Sequence, residues 1–200
     1  MIERLAQEYP DAECALVHEN AFQLLAATIL SAQTTDENVN KVTPQLFARY
    51  PTPSDLAHAD PEDVEAIVHS TGFFRSKTKS LLGMARKIDE DFGGEVPTEL
   101  DDLVKLPGVG RKTGNVVRSV AFDLPGLPVD THVGRLTRRL GLTAEVDPVK
   151  IEHEVGALVP RAEWGTLSLR LILHGRAVCR SRKPRCDVCL LNDFCPSAFA

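Results

Sequence analysis

The sequence predicts an all-α protein. Helix-length apolar stretches are separated by Gly and Pro, and capping residues stand at their starts. Alternation of the strand type is confined to one short stretch. Residues 21–33 are mostly apolar and free of Gly and Pro, long enough for a buried helix. Asp36 is placed to cap the next helix, which runs toward Tyr50. Pro61-Glu-Asp63 begins another, with Pro early and acids in the first turn, and it ends before Gly72. Residues 76–92 follow and close at Gly93-Gly94. A short helix at 100–106 precedes a glycine turn, and residues 111–122 form the second arm of a helix–hairpin–helix. Leu124-Pro-Gly-Leu-Pro128 reads as a linker or domain crossing. Residues 131–140 are helical up to Gly141, and Asp147-Pro148 starts another helix. In residues 162–177, Leu167, Leu169, Leu171 and Leu173 alternate as in a strand. Trp164, Leu167, Leu171 and His174 fit a helix, which the surrounding helices favour.

Two hundred residues suffice for one large domain or two small ones. No apolar run approaches the roughly 20 residues that span a bilayer. The N-terminal segment lacks the basic start and apolar stretch of a signal peptide, which predicts a cytoplasmic protein with no membrane association. The net charge of −5 hides an asymmetry, with −9 in residues 1–100 and +4 in residues 101–200. Polyanion binding needs only a local patch, so the acidic total does not exclude it. The densest patch holds Arg170, Arg176, Arg180, Arg182, Lys183 and Arg185 without an acid.

Four features carry chemistry. Leu106-Pro-Gly-Val-Gly-Arg-Lys112 sets Gly108 and Gly110 before a helix start, where unpaired amides favour an anion. Lys112 falls in the first turn, where the helix dipole disfavours a protonated amine. Arg111 stands where a nucleotide P-loop needs Gly, which argues against that motif. Cys179, Cys186, Cys189 and Cys195 fall within seventeen residues, a strong metal signal in a cytosolic protein. Tetrahedral zinc and a [4Fe–4S] cluster both accept four thiolates, and the spacing leaves both open. The Arg180, Arg182, Lys183 and Arg185 cations lie between the first two cysteines, where an anchored loop suits a phosphate backbone. Cys14 stands apart and reads as a small buried hydrophobe. Asp130 occupies an N-cap position, compatible with capping and with stabilising a cation. Gln33 closes the first long helix and acquires a role if that end faces a duplex.

Taken together, Leu30-Ser-Ala-Gln-Thr-Thr-Asp36, Gly72-Phe-Phe-Arg-Ser-Lys77, the glycine turn through Thr113, Val129-Asp-Thr-His132, Leu173-His-Gly-Arg176 and the spaced cysteines resemble the endonuclease III family of DNA glycosylases. The resemblance covers nearly the whole chain. It implies an all-α, two-lobed helix–hairpin–helix DNA glycosylase fold: a six-helix barrel over 14–124, and a cluster lobe from 1–13 and 125–200. It implies a [4Fe–4S] cluster on the four cysteines, and oxidised pyrimidines such as thymine glycol in duplex DNA as substrate. Partners would be double-stranded DNA with a damaged base or abasic site, bound by a monomer. Lys112 matches the family's nucleophile for Schiff-base formation and β-elimination, and Asp130 its carboxylate. DNA contacts would come from Gln33, filling the gap left by the flipped base, from Gly108, Gly110, Arg111 and His132, and from the basic loop. A wedge would come from Phe73 or Phe74, beside Arg75, where similar members carry an aliphatic residue and Tyr. Gly114 stands where relatives often carry Ala, a change expected to loosen the helix start. A mismatch-specific adenine or pyrimidine glycosylase and a non-catalytic DNA-binding module are the alternatives. Lys112 argues against the adenine enzyme, and its pairing with Asp130 against mere binding.

Overall fold

The computed structural model describes residues 1–199, and no strand occurs among them. One compact unit is formed by Ala15–Asp123; the other combines Met1–Cys14 with the chain from Leu124 onward.

The unit Ala15–Asp123 follows an N-terminal helix α1 (Ile2–Glu8) that belongs to the other unit. It contains α2 (Ala21–Leu30), α3 (Asp36–Arg49), α4 (Pro53–Ala57), α5 (Pro61–Val68), α6 (Phe74–Phe92), α7 (Leu100–Leu103) and α8 (Arg111–Ala121). Local chemistry sets the boundaries. The Asn20 side chain caps α2, and Asp60 caps α5 ahead of Pro61. Thr35, not Asp36, caps α3. The Thr35 hydroxyl accepts the Asn38 amide, so Asp36 becomes the first helical residue, at the positive end of the dipole. The short α4 was not foreseen. It is nucleated by a capping box in which Thr52 and Asp55 each accept the other's backbone amide. Helix α6 starts two residues before the expected Ser76, because the chain turns at Gly72 and Phe73. It ends where Gly93 turns left-handed (φ 61°) and the Gly94 amide bonds back to Ile88. On α6, Leu81, Met84 and Ile88 are wholly buried. Each contributes at most about 1.5–3 kcal/mol by leaving water. Helices α4, α5 and α2 pack on it.

The other unit contains α9 (Thr131–Arg139), α10 (Pro148–Leu158) and α11 (Trp164–Ala177). The helical reading of residues 162–177 is correct: Leu167, Leu171 and His174 form the buried stripe, while Leu169 and Leu173 are half-buried. Asp147 caps α10 through the Val149 and Lys150 amides, with Pro148 in the first turn. The core joins Leu5 of α1 to Leu127, Val133, Leu136, Ile151, Val155, Leu167, Leu171 and Leu191. Gly175 lets α11 approach α9 closely, since a Cβ there would lie 2.8 Å from the His132 ring.

Candidate functional site

The hairpin between α7 and α8 is held by its apolar residues: Leu106 and Val109 are buried. Gly108 is required twice over. Its φ is +80°, and a Cβ would fall 2.7 Å from Ser80 Cβ. Gly110 differs. Its φ is −90°, and a Cβ would meet nothing within 4 Å. Nothing inside the protein demands glycine there, and the space beside it is open. The first intrahelical bond of α8 runs from the Gly114 amide to Gly110, and the preceding amides have no acceptor within the helix. Lys112 is exposed in this first turn, next to Arg111. At Gly114 the structure shows a packing reason for the small residue. It is a buried seat in which a Cβ would stand 2.7 Å from Leu100 of α7, so it lets the two arms close up.

Gln33 lies beyond the end of α2, in a turn, exposed and left-handed at φ 59°. Phe73 is also left-handed, at φ 47°, and 73% exposed. Its neighbour Phe74 is half-buried in the first turn of α6, its ring 4.4 Å from that of His69. The Arg75 guanidinium lies over the Phe74 ring and 3.9 Å from a Glu65 carboxylate oxygen. The structure thus separates the two aromatic candidates: Phe73 is displayed and Phe74 anchored. Lys77 is buried and donates to the Thr71 carbonyl at 2.7 Å, which fixes the segment leading into Phe73. Burial pushes its ammonium below the usual lysine range.

Asp130 caps α9, its Oδ1 accepting the Val133 amide at 2.8 Å. Capping uses one of two carboxylate oxygens. Two residues on, His132 is half-buried, with Nδ1 3.0 Å from Arg135 Nη2. A guanidinium only donates, so in this contact Nδ1 accepts. Burial, and then the Arg135 and Arg176 charges, push this imidazole toward its neutral form against the pull of Asp130.

The four cysteines of residues 179–195 line one pocket. Among the described residues, no three His, Cys, Asp or Glu side chains meet as ligands of one ion. Four thiols lining one pocket are the donor set that a [4Fe–4S] cluster takes. Burial pushes the Cys189 thiol up, and the charges of Cys179, Cys186 and Cys195 add to this. The pocket is braced from α9 and α11. Arg139 donates to Cys179 Sγ (3.3 Å), the Arg180 carbonyl (2.7 Å) and the Ser181 carbonyl (3.0 Å). Arg135 donates to the Cys179 and Gly175 carbonyls. Buried His174 places Nε2 3.4 Å from Cys189 Sγ and Nδ1 3.1 Å from the Tyr9 hydroxyl. Arg180, Arg182, Lys183 and Arg185 are exposed on the loop so held. Cys14 is half-buried, not buried.

Residues 26–161 match the model of the HhH-GPD superfamily of base excision DNA repair proteins, and residues 179–195 that of the iron–sulfur binding domain of endonuclease III. Endonuclease III of Synechocystis sp. is 54% identical over 197 residues, covering 98% of this chain and 90% of the relative. The chain belongs to the endonuclease III family.

Two solved structures of the family superpose at a TM-score of 0.91 and 41% identity, covering 98% of this chain. They span 92% and 93% of those chains; one is a non-covalent endonuclease III–DNA complex, the other a trapped covalent intermediate with DNA. As a member of the endonuclease III family, the protein is a base excision repair enzyme, a DNA glycosylase and AP lyase for oxidised pyrimidines. It binds DNA, and its cofactor is a [4Fe–4S] cluster. No helix among the described residues is long and apolar enough to cross a membrane.

The sequence reading missed the side chains that hold this family's site together. Arg135 and Arg139 were detectable as two cations one helical turn apart on a helix whose apolar face is Val133 and Leu136. Lys77 left a weaker signal, a lysine one turn before the buried Leu81. Tyr9 left none, since its partner His174 lies 165 residues away.

Proposed function

We propose that Lys112 is the nucleophile. Its exposed position, in the first turn after a glycine turn that nothing internal obstructs, carries this reading. The neutral amine attacks C1′ of the deoxyribose and expels the damaged base. Loss of the amine proton and opening of the C1′–O4′ bond give a Schiff base, and removal of a C2′ proton then expels the 3′ phosphate by β-elimination. The amides at the start of α8, with Gly108, Gly110 and Arg111, hold the DNA backbone without reading sequence. Asp130 stabilises positive charge developing at the sugar and assists proton transfer while capping α9.

A damaged base inside the stack is unreachable, so it is extruded. Gln33 fills the space it leaves, and Phe73 acts as the apolar wedge at a neighbouring step. The exposure of both side chains on left-handed backbone supports these roles. Phe74 and Arg75 support the wedge from its own helix, and His132 and the basic loop Arg180, Arg182, Lys183 and Arg185 add contacts to DNA. Cys179, Cys186, Cys189 and Cys195 hold the cluster, which supplies a structural brace for that loop. Substrates include thymine glycol and abasic sites in double-stranded DNA, met as a monomer on chromosomal DNA in the cytoplasm.

Borohydride reduction during reaction with thymine-glycol or abasic duplex tests the central assignment. A covalent protein–DNA adduct is expected. Lys112→Ala abolishes it while DNA binding in a mobility shift stays largely intact. Trapping that survives in Lys112→Ala refutes the nucleophile assignment.

A further inference from the structure

Left-handed backbone at a non-glycine residue is unfavourable and persists where the surroundings impose it. At Phe73 the imposing contacts are visible: the Thr71 carbonyl is held by Lys77 Nζ, and the Thr71 hydroxyl bonds to Val68. At Gln33 the turn is closed by Thr34 N to the Ser31 carbonyl and by the Ser31 hydroxyl to Thr28. These turns lie on different helices, yet one side chain joins them. Asn38 of α3 donates from Nδ2 to Thr34 Oγ1 at 3.0 Å and to the Ser70 carbonyl at 2.9 Å. The first acceptor is the residue after Gln33; the second lies three residues before Phe73. The Asn38 backbone is itself fixed, its amide bonded to the capping hydroxyl of Thr35.

We propose that Asn38 is a positioning residue that locks the Gln33 turn and the Phe73 turn into one rigid probe, so that extrusion of the base depends on it. The inference rests on the roles given above to Gln33 and Phe73. Extrusion costs a few kcal/mol, which the inserting side chains offset only if they arrive together. Two separately mobile turns would each lose conformational entropy on insertion, and a shared anchor removes that loss in advance. An amide suits the position because it has two hydrogens to donate, one for each turn.

Asn38→Asp tests this with little change of shape. The carboxylate has no hydrogen to donate and faces the Ser70 carbonyl. It also sits at the third position of α3, where negative charge favours the helix. The variant is therefore expected to melt at or above the wild-type temperature. Extrusion, followed by 2-aminopurine fluorescence beside thymine glycol, and single-turnover excision should both slow by about tenfold, the effect expected from losing the bond to Ser70 and setting a carboxylate against its carbonyl, while the Thr34 hydroxyl can still donate to the new side chain. β-Elimination at a preformed abasic site should fall less than about threefold, since no base has to leave the stack. Asn38→Ala should show the same split.

Wild-type extrusion and excision in Asn38→Asp would overturn the proposal. So would a lowered melting temperature with both reactions reduced equally, which marks a purely structural residue. Gln33→Ala and Phe73→Ala separate the two layers of the argument. If they leave extrusion unchanged, the roles of Gln33 and Phe73 fail, and the positioning role with them. If they slow extrusion while Asn38→Asp does not, the positioning role alone fails.

Discussion

Asp130 combines two roles that substitution can separate. Asn caps a helix about as well as Asp but carries no charge. Asp130→Asn should keep unfolding free energy within about 0.5 kcal/mol of wild type while β-elimination drops at least about tenfold. Asp130→Ala should lose the same activity and about 1 kcal/mol of stability as well. Urea unfolding and single-turnover kinetics check both, and an active Asp130→Asn enzyme would leave capping as the only role. Lys77 makes a different prediction. Its folded-state affinity for a proton lies below the ordinary 10.5, so the unfolded chain binds the proton more tightly. The penalty is fully present below the folded value and is relieved as pH rises toward 10.5. Against Lys77→Met, the wild type should gain relative stability from neutral pH toward that limit. A pH-independent difference between the two proteins would contradict it. Lys112, Asp130 and the cysteines were legible in the sequence because each has a local signal: a turn, a cap, a spacing. Lys77, Asn38 and His174 bond to partners 6, 32 and 15 residues away, so even where the motif itself stood out, as at Lys77 and His174, no local pattern showed which contact the side chain makes.

Among the elements, the hairpin before α8 gives the clearest contrast. Gly108→Ala forces a Cβ onto Ser80 and onto left-handed backbone, and should cost about 1–2 kcal/mol or more. Gly110→Ser should leave thermal stability unchanged or raised, because serine is a good N-cap and open space surrounds the site. It should still weaken binding to abasic duplex, by crowding the phosphate approach. Unchanged affinity in Gly110→Ser would detach this turn from the DNA backbone. Helices with strong punctuation, such as α5 with Asp60-Pro61 and α10 with Asp147-Pro148, were readable at their first residue. The start of α6 was not, since a phenylalanine in left-handed conformation has no propensity signal. Nor was α4, whose five residues are too few for a periodic pattern.

At the scale of the molecule, the cluster segment and α1 are bound to each other. Arg4 forms a bidentate pair with Asp193, donates to the Leu190 carbonyl and lies over the Phe194 ring. Tyr9 reaches Cys189 through His174. Stripping the iron should therefore expose the amides of residues 179–195 and of α1 to hydrogen exchange together. The amides of α6, in the unit Ala15–Asp123, should stay protected. Uniform loss across both units would contradict this. Cys189→Ser, read by iron and sulfide content, should lower cluster occupancy. The same contacts impose an order on biosynthesis. Helix α1 leaves the ribosome well before its partners at 190–194 are made. The unit Ala15–Asp123 is complete well before that and is free to fold during translation. Leu5 meanwhile has no core to enter until residues 127–171 emerge, and Arg4 has no partner until the cysteine segment follows and acquires iron. A cell short of iron would accumulate chains folded over residues 15–123 and open over α1 and residues 179–195, recognisable to a protease by those exposed segments.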